Sequence, residues 1–239
     1  MPAASYQERR GQLQTYFDRT AVEAWARLTS TAPVGRIRAT VRAGRDQMRH
    51  TLLGMLPAQL SGRRILDAGC GTGALSVEAA QRGAQLVAVD ISPTLVDIAR
   101  DRLPSRLAGG SIDFRVGDMF DAALGEFDHV VAMDSLIHYR AVDVVRVLAG
   151  FAVRTRHSIV FTFAPKTPAL TVMHAVGRWF PRHDRAPAIE PVSESTLRRH
   201  LAQDPVLRQW RIARTQRIAC GFYTSQAMEL VNSREDSPA

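Results

Sequence analysis

The residues best placed to do chemistry are acids at the ends of apolar runs, gathered around a glycine-rich loop. Arg64-Ile65-Leu66-Asp67-Ala68-Gly69-Cys70-Gly71-Thr72-Gly73 is a short apolar run that ends in an acid and continues into three glycines at alternate positions. Glycine lets a chain turn through positive φ and lets a ligand come close to the backbone. Leu86-Val87-Ala88-Val89-Asp90 is a second apolar run ending in an acid, at the spacing of a βαβ unit. A phosphate-binding P-loop would need a Lys-Ser/Thr ending, whereas Gly73 is followed by Ala74-Leu75. The dinucleotide pattern is G-x-G-x-x-G, and this loop reads G-x-G-x-G after Asp67. A carboxylate at that strand end repels a pyrophosphate and suits a cationic ligand with ammonium and sulfonium centres.

Asp67, Gly69, Gly71, Gly73 and Asp90 together resemble the glycine motif of the class I S-adenosylmethionine methyltransferases. In parallel sheets, ligands bind at the carboxyl ends of the strands, at the switch point of strand order. Asp90, followed by Ile91, stands where a carboxylate accepts from both ribose hydroxyls. Asp118 and Met119 follow the third strand, where the acid can accept from an adenine amine and Met119 offers an amide and an apolar flank. An ordinary Gly-Asp turn remains the rival reading there. Thr72 lines the loop, and Asp134 either meets the methionine end of the cofactor or caps the turn after the apolar run Phe127–Met133. His138, in Met133-Asp134-Ser135-Leu136-Ile137-His138-Tyr139, lies just past that edge. It could orient a substrate oxygen, act as a base or ligate a metal.

The elements that must hold these residues follow from periodicity. Residues 6–60 read as helices: Tyr16, Phe17, Val22, Trp25 and Leu28 recur at helical spacing, and a second helix spans Ile37 to Met55. Strands are expected at Arg64–Asp67, Leu86–Val89, Ile112–Val116, Phe127–Met133 and Ser158–Phe163. Helices are expected at Ala74–Gln81, from Pro93 onward, and at Val142–Val153. After Pro165 the rhythm breaks, and 167–190 reads as an insertion. A helix from Ser193 to Gln203 precedes two closing strands, Trp210–Thr215 and Ile218–Thr224. The expected fold is α/β, a Rossmann-like, mostly parallel sheet with one antiparallel strand. Residues 1–60 form a helical extension, 61–232 the core and 233–239 a frayed tail.

Composition narrows the partners. The chain has 239 residues and is 46% hydrophobic, enough for one α/β domain with additions. No apolar run approaches the roughly 20 residues of a membrane span, and residues 1–20 do not read as a signal peptide. Two distant cysteines predict neither disulfide nor metal site and suit the cytoplasm. The net charge of +8 comes mostly from arginine, since Lys166 is the single lysine. Such charge attracts an anionic surface or small molecule. The arginines form no block and no aromatic stripe accompanies them, so no nucleic-acid partner is expected.

A narrower resemblance runs over nearly the whole chain. Tyr16-Phe17-Asp18-Arg19-Thr20 through Trp25, Ile37-Arg38 to Gly44-Arg45, Asp134 to Tyr139, Phe163-Ala164-Pro165-Lys166-Thr167 and Phe180-Pro181 resemble the magnesium-protoporphyrin IX O-methyltransferases. The resemblance implies methyl transfer from S-adenosylmethionine to one propionate of magnesium protoporphyrin IX, leaving S-adenosylhomocysteine, with no metal bound by the protein itself. It implies Tyr16 and His138 at the transfer centre, with the N-terminal helices closing over the site. Arg38, Arg42, Lys166 and Trp179 are the substrate-side candidates. The large porphyrin-binding subunit of magnesium chelatase is the implied partner, and peripheral contact with the inner or photosynthetic membrane is compatible with a basic surface. A methyltransferase of another carboxylate, phenol or quinone precursor, an RNA methyltransferase, and a non-catalytic tetrapyrrole carrier on the same fold are the alternatives.

Overall fold

A computed structural model describes residues 8, 11, 13–16, 29, 35–166 and 189–233. Its frame is a seven-stranded sheet in the order β3-β2-β1-β4-β5-β7-β6. The strands are β1 (Arg64–Ala68), β2 (Gln85–Asp90), β3 (Ser111–Val116), β4 (Phe127–Ala132), β5 (Thr155–Phe163), β6 (Trp210–Cys220) and β7 (Tyr223–Asn232). The first five pair in parallel, and β7 runs antiparallel to both β5 and β6. β7 is thus the single antiparallel strand that the sequence leads one to expect. Strands buried on both faces read as continuous apolar runs rather than alternating ones. That is why β1, β4 and β5 are visible in the sequence.

The helices are α1 (Arg36–Met55), α2 (Ala74–Gln81), α3 (Pro93–Asp101), α4 (Ala141–Ala152) and α5 (Glu194–Gln203). Pro93 occupies the first turn of α3 behind Ser92, whose side chain accepts from the Leu95 amide. Proline suits that position because its missing N–H would have no intrahelical partner. Ser193 caps α5 in the same way through the Thr196 amide. One face of the sheet buries Leu66, Phe127, Val130, Phe151, Phe161 and Met228, and the other packs α1 and α2 through Met48, Leu52, Leu53, Leu75 and Ala79. Residues 13–16 are helical, and Leu13 joins the first of these clusters.

The closing hairpin differs from expectation. The sequence suggests a break between Thr215 and Ile218, but β6 continues to Cys220 and the turn is Gly221-Phe222, with Gly221 at φ +57°. The second strand is therefore Tyr223–Asn232 rather than Ile218–Thr224. β6 is an edge strand and is exposed from Arg214 to Arg217, so its polar middle imitates a turn. The turn lies at the carboxyl edge of the parallel strands, because Phe163 at the end of β5 pairs with Gln226. There it meets α1: a Cβ on Gly44 would collide with the Tyr223 ring.

Candidate active site

Strand order reverses between β1 and β4, so the loops after these two strands form the crevice in which such sheets bind ligands. The loop after β1 is held by the edge of β2. The Gly69 and Cys70 amides both donate to the Val89 carbonyl, at 2.8 and 3.1 Å. The Gly71 amide donates to Asp90 Oδ2 at 2.8 Å, and the Ser92 amide to Oδ1 at 2.9 Å. These two bonds fix the plane of the Asp90 carboxylate at the mouth of the crevice. Gly69, Gly71 and Gly73 have φ of +82°, +54° and +77°, a region that costs other L-residues roughly 1–2 kcal/mol. Space adds a second constraint. A Cβ on Gly69 would collide with Ser135 Cβ, and one on Gly73 would lie 2.8 Å from the Phe114 ring.

Asp67 sits beneath this loop and is only 1% exposed. It accepts from Ser76 Oγ at 2.6 Å. Burial, reinforced by the neighbouring Asp90 charge and offset in part by the Ser76 bond, pushes its pKa up to about 7. An acid in that condition gains from a cation placed nearby. Asp118 closes a turn by accepting from the Phe120 amide at 2.9 Å, and Met119 beside it is buried. Arg154 braces the same turn by donating to the Met119 and Asp121 carbonyls. Thr72 is buried within the glycine loop and Ile91 is half-buried after Asp90.

Asp134 leaves β4 in the left-handed region, at φ +54°. Its carboxylate accepts from Arg45 Nη1 (2.6 Å), from the Tyr223 hydroxyl (3.1 Å to each oxygen), from Ser225 Oγ (3.2 Å) and from Thr162 Oγ1 (3.2 Å). Its amide donates to Thr162 Oγ1 at 2.7 Å. Burial and the Asp134 charge hold the Tyr223 phenol proton far above its ordinary range, so Tyr223 is a hydrogen-bond donor here. The next residue, Ser135, lies against Gly69, and its buried hydroxyl meets no hydrogen-bond partner among the described residues. Nothing in the sequence distinguishes Ser135 from Asp134 as the side chain turned to the glycine loop. His138 is three residues further on, buried at 8% exposure. The Ile137 carbonyl accepts from the Glu190 amide at 2.9 Å, which ties this loop to the chain before α5.

Of the remaining candidates, Tyr16 is half-buried on a helix whose Leu13 shares an apolar cluster with Leu136 and Tyr139, the neighbours of His138. Arg38 is exposed and Arg42 half-buried on α1, while Arg45 on the same helix is committed to Asp134. Lys166 is exposed, and its amide donates to the Val192 carbonyl at 3.0 Å. Phe17, Asp18, Trp25, Trp179, Phe180 and most of the expected insertion lie outside the described residues. Among the described residues no group of three or more His, Cys, Asp or Glu side chains could hold a metal ion. No helix among them is long and apolar enough to cross a membrane.

Comparison with known proteins decides the family. A family model described as "Magnesium-protoporphyrin IX methyltransferase C-terminus" matches residues 132–232, and a general "Methyltransferase domain" matches 65–157. The magnesium-protoporphyrin O-methyltransferase of Rhodobacter capsulatus is 52% identical over 230 residues, 96% of this chain and 99% of that protein. The chain belongs to the magnesium-protoporphyrin O-methyltransferases. The Synechocystis magnesium-protoporphyrin O-methyltransferase is 30% identical, covering 92% of this chain and 95% of that one. A crystal structure of the Synechocystis PCC 6803 magnesium protoporphyrin IX methyltransferase with bound SAH superposes with a TM-score of 0.81 at 30% identity, over 93% of this chain and 99% of that one. The fold is thus that of a class I methyltransferase. S-Adenosylmethionine is the cofactor of this family, and the crevice suits it: a loop with glycine at every second position, a buried acid that a cation would stabilise, and a Ser135 hydroxyl left without a partner among the described residues.

Proposed function

We propose that this protein transfers a methyl group from S-adenosylmethionine to a propionate carboxylate of magnesium protoporphyrin IX, giving the monomethyl ester for chlorophyll or bacteriochlorophyll synthesis. The near-full-length likeness to the Rhodobacter enzyme carries this reading. The cofactor supplies a methyl carbon on a positively charged sulfur. The acceptor is already a nucleophile, because a propionic acid has an ordinary carboxyl pKa of roughly 4.3 and is ionised at neutral pH. No general base is obligatory. The protein's task is alignment, with the reacting atoms about 3–3.5 Å apart in a site that excludes water.

Residue roles follow from that task. Asp90, with Ile91, serves the ribose; Asp118 and Met119 serve the adenine; Gly69, Gly71, Thr72 and Gly73 admit the cofactor to the backbone. Asp67 answers its positive charge from below. Ser135 joins this set, because its hydroxyl beside Gly69, without a partner among the described residues, can donate to the methionyl carboxylate. His138 and Tyr16 orient the propionate by hydrogen bonds, a softer hold than a lysine or arginine ion pair, which would quench the nucleophile. Arg38, Arg42 and Lys166 face the propionate side of the substrate, and Trp179 belongs to an apolar wall for the flat macrocycle. Residues 1–60 act as a closing element over the core of 61–232, and 167–190 is the substrate-side insertion.

The net charge of +8 supports contact of this protein with an anionic membrane surface, and the porphyrin-binding subunit of magnesium chelatase is the proposed donor of substrate. The decisive assay offers magnesium protoporphyrin, metal-free protoporphyrin and a quinone precursor to the purified protein with labelled cofactor, and identifies the product by chromatography. Transfer to the quinone precursor alone would overturn the porphyrin reading. Cofactor binding without transfer to any acceptor would favour a carrier.

A further inference from the structure

We propose that Arg45, Tyr223 and Asp134 form a positioning clamp that sets the His138 loop for methyl transfer, so that Asp134 acts through the protein rather than by touching the cofactor. The proposal rests on the porphyrin methyl transfer described above. An ionised carboxylate offers about four acceptor sites. The five contacts reaching Asp134 come from Arg45 on α1, Thr162 on β5, and Tyr223 and Ser225 on β7. They occupy both oxygens. Three separate parts of the fold therefore converge on one side chain at the carboxyl edge of β4.

The backbone of that residue is strained at φ +54°, and such a conformation persists only where the surroundings over-determine it. Here they do so through the carboxylate on one side and the Asp134 amide, bonded to Thr162, on the other. The loop beyond Asp134 is short and tightly packed: Ser135 against Gly69, Leu136 fully buried, and His138 only four residues past the clamp. Rotating the Asp134 peptide would move Ser135 off the glycine loop and swing His138 with it. The far end of the loop is held by the Glu190 amide on the Ile137 carbonyl, so the clamp is the near anchor of a two-point mount. Arg45 is also the means by which α1 is registered to the site, since Gly44 lies against the Tyr223 ring. A shift of about 1 Å in a catalytic group can cost 100-fold in rate, which is the sensitivity the mount controls.

The test compares wild type, Arg45→Met, Arg45→Lys and Tyr223→Phe. The readouts are kcat and KM with magnesium protoporphyrin, SAH affinity by calorimetry, and the thermal midpoint, with turnover measured well below that midpoint. Arg45→Met is expected to lower kcat by about 30-fold with SAH Kd and porphyrin KM held within about 3-fold, and Arg45→Lys to recover most of the loss, as misalignment without lost binding requires. Tyr223→Phe, which keeps the ion pair, is expected to lower kcat by about 5-fold. A folded Arg45→Met enzyme with wild-type kcat would overturn the clamp, as would a loss confined to SAH affinity. Should Arg45→Met fail to fold, wild-type kcat in Tyr223→Phe overturns it alone. Wild-type protein that binds SAH but methylates no porphyrin would instead overturn the function on which the clamp rests.

Discussion

His129 offers a measurement in which the structure sets sign, size and pH window together. It lies on β4 at 4% exposure, with Nδ1 2.7 Å from Ser158 Oγ and a buried Nε2 that meets no partner among the described residues. Burial, followed by the His157 ring, pushes its pKa down to about 4, with Arg63 adding to the fall and Asp128 opposing it. Ser158 faces the ring as well, and Arg214, Glu229 and Asn232 line the same pocket with His129. In the unfolded chain a histidine titrates near 6.5. The native state therefore resists a proton that the unfolded state accepts, and stability falls as pH drops from about 6.5 towards 4. At 1.36 kcal/mol per unit, the full loss is about 3 kcal/mol, of which about 2.5 kcal/mol has gone by about pH 4.5. His129→Asn keeps a polar atom for Ser158 and removes the titration. Urea unfolding of both proteins from about pH 7.5 to about pH 4.5 should show the stability difference, wild type minus variant, shrinking by roughly that amount on acidification. Taking the difference cancels carboxylates remote from the site. A pH-independent difference would mean that His129 is readily protonated in the fold, and the reasoning from its burial would fail.

Other consequences are more direct. Gly69→Ala should weaken SAH binding by at least about 10-fold while the protein stays folded, because the loop must shift away from Ser135 and lose its positive φ; unchanged affinity by calorimetry would refute the fit. Asp90→Ala should likewise weaken SAH binding, both through the proposed ribose contact and through release of the Gly71 amide, and an unaltered Kd would remove it from the site. His138→Phe and Tyr16→Phe are expected to cut turnover by about 100-fold, the scale of a 1 Å misplacement, with SAH affinity near wild type. Wild-type rates in both variants would show that the transfer centre lies elsewhere. For Asp67, raised to about 7, SAH affinity should rise between about pH 6 and pH 8 as the carboxylate ionises and answers the ligand's ammonium. Asp67→Asn should flatten that rise, and a rise of the same size in the variant would assign it to another group.

Much of the sheet is readable because buried parallel strands advertise themselves. β1, β2 and β4 are apolar runs ending beside an acid, and Pro93 and Ser193 mark helix starts by capping chemistry that is local in sequence. The closing hairpin misleads for the converse reason. β6 is exposed and polar in its middle, so its register comes from pairing with β7 along Arg211 to Cys220 and not from any pattern of its own. Within the site, the acids at strand ends are found from their position in the motif. The proposed division of labour between Asp134 and Ser135 is not. It depends on Arg45, Thr162, Tyr223 and Ser225 arriving from distant segments, and Arg45 looks no different from Arg38 or Arg42 in the helix they share. His129 passes unnoticed because a histidine in an apolar strand carries no signal of whether both its nitrogens will be satisfied.

The short bridge between Pro165 and Val192, with amide bonds from Lys166 to Val192 and from Val192 to Ala164, has an evolutionary reading. It ties the end of β5 to the chain ahead of α5 by backbone pairing, with Val192 also buried in the core. Doubling the length of a flexible loop with fixed ends adds only about 0.6 kcal/mol of closure entropy. Changes of length between Lys166 and Glu190 therefore cost little closure entropy, so long as the Glu190 amide keeps its bond to the Ile137 carbonyl. On the proposed substrate-side role of 167–190, a lineage could change its methyl acceptor by altering the residues between Lys166 and Glu190. The same join is where a designer would graft a foreign segment to retarget the enzyme.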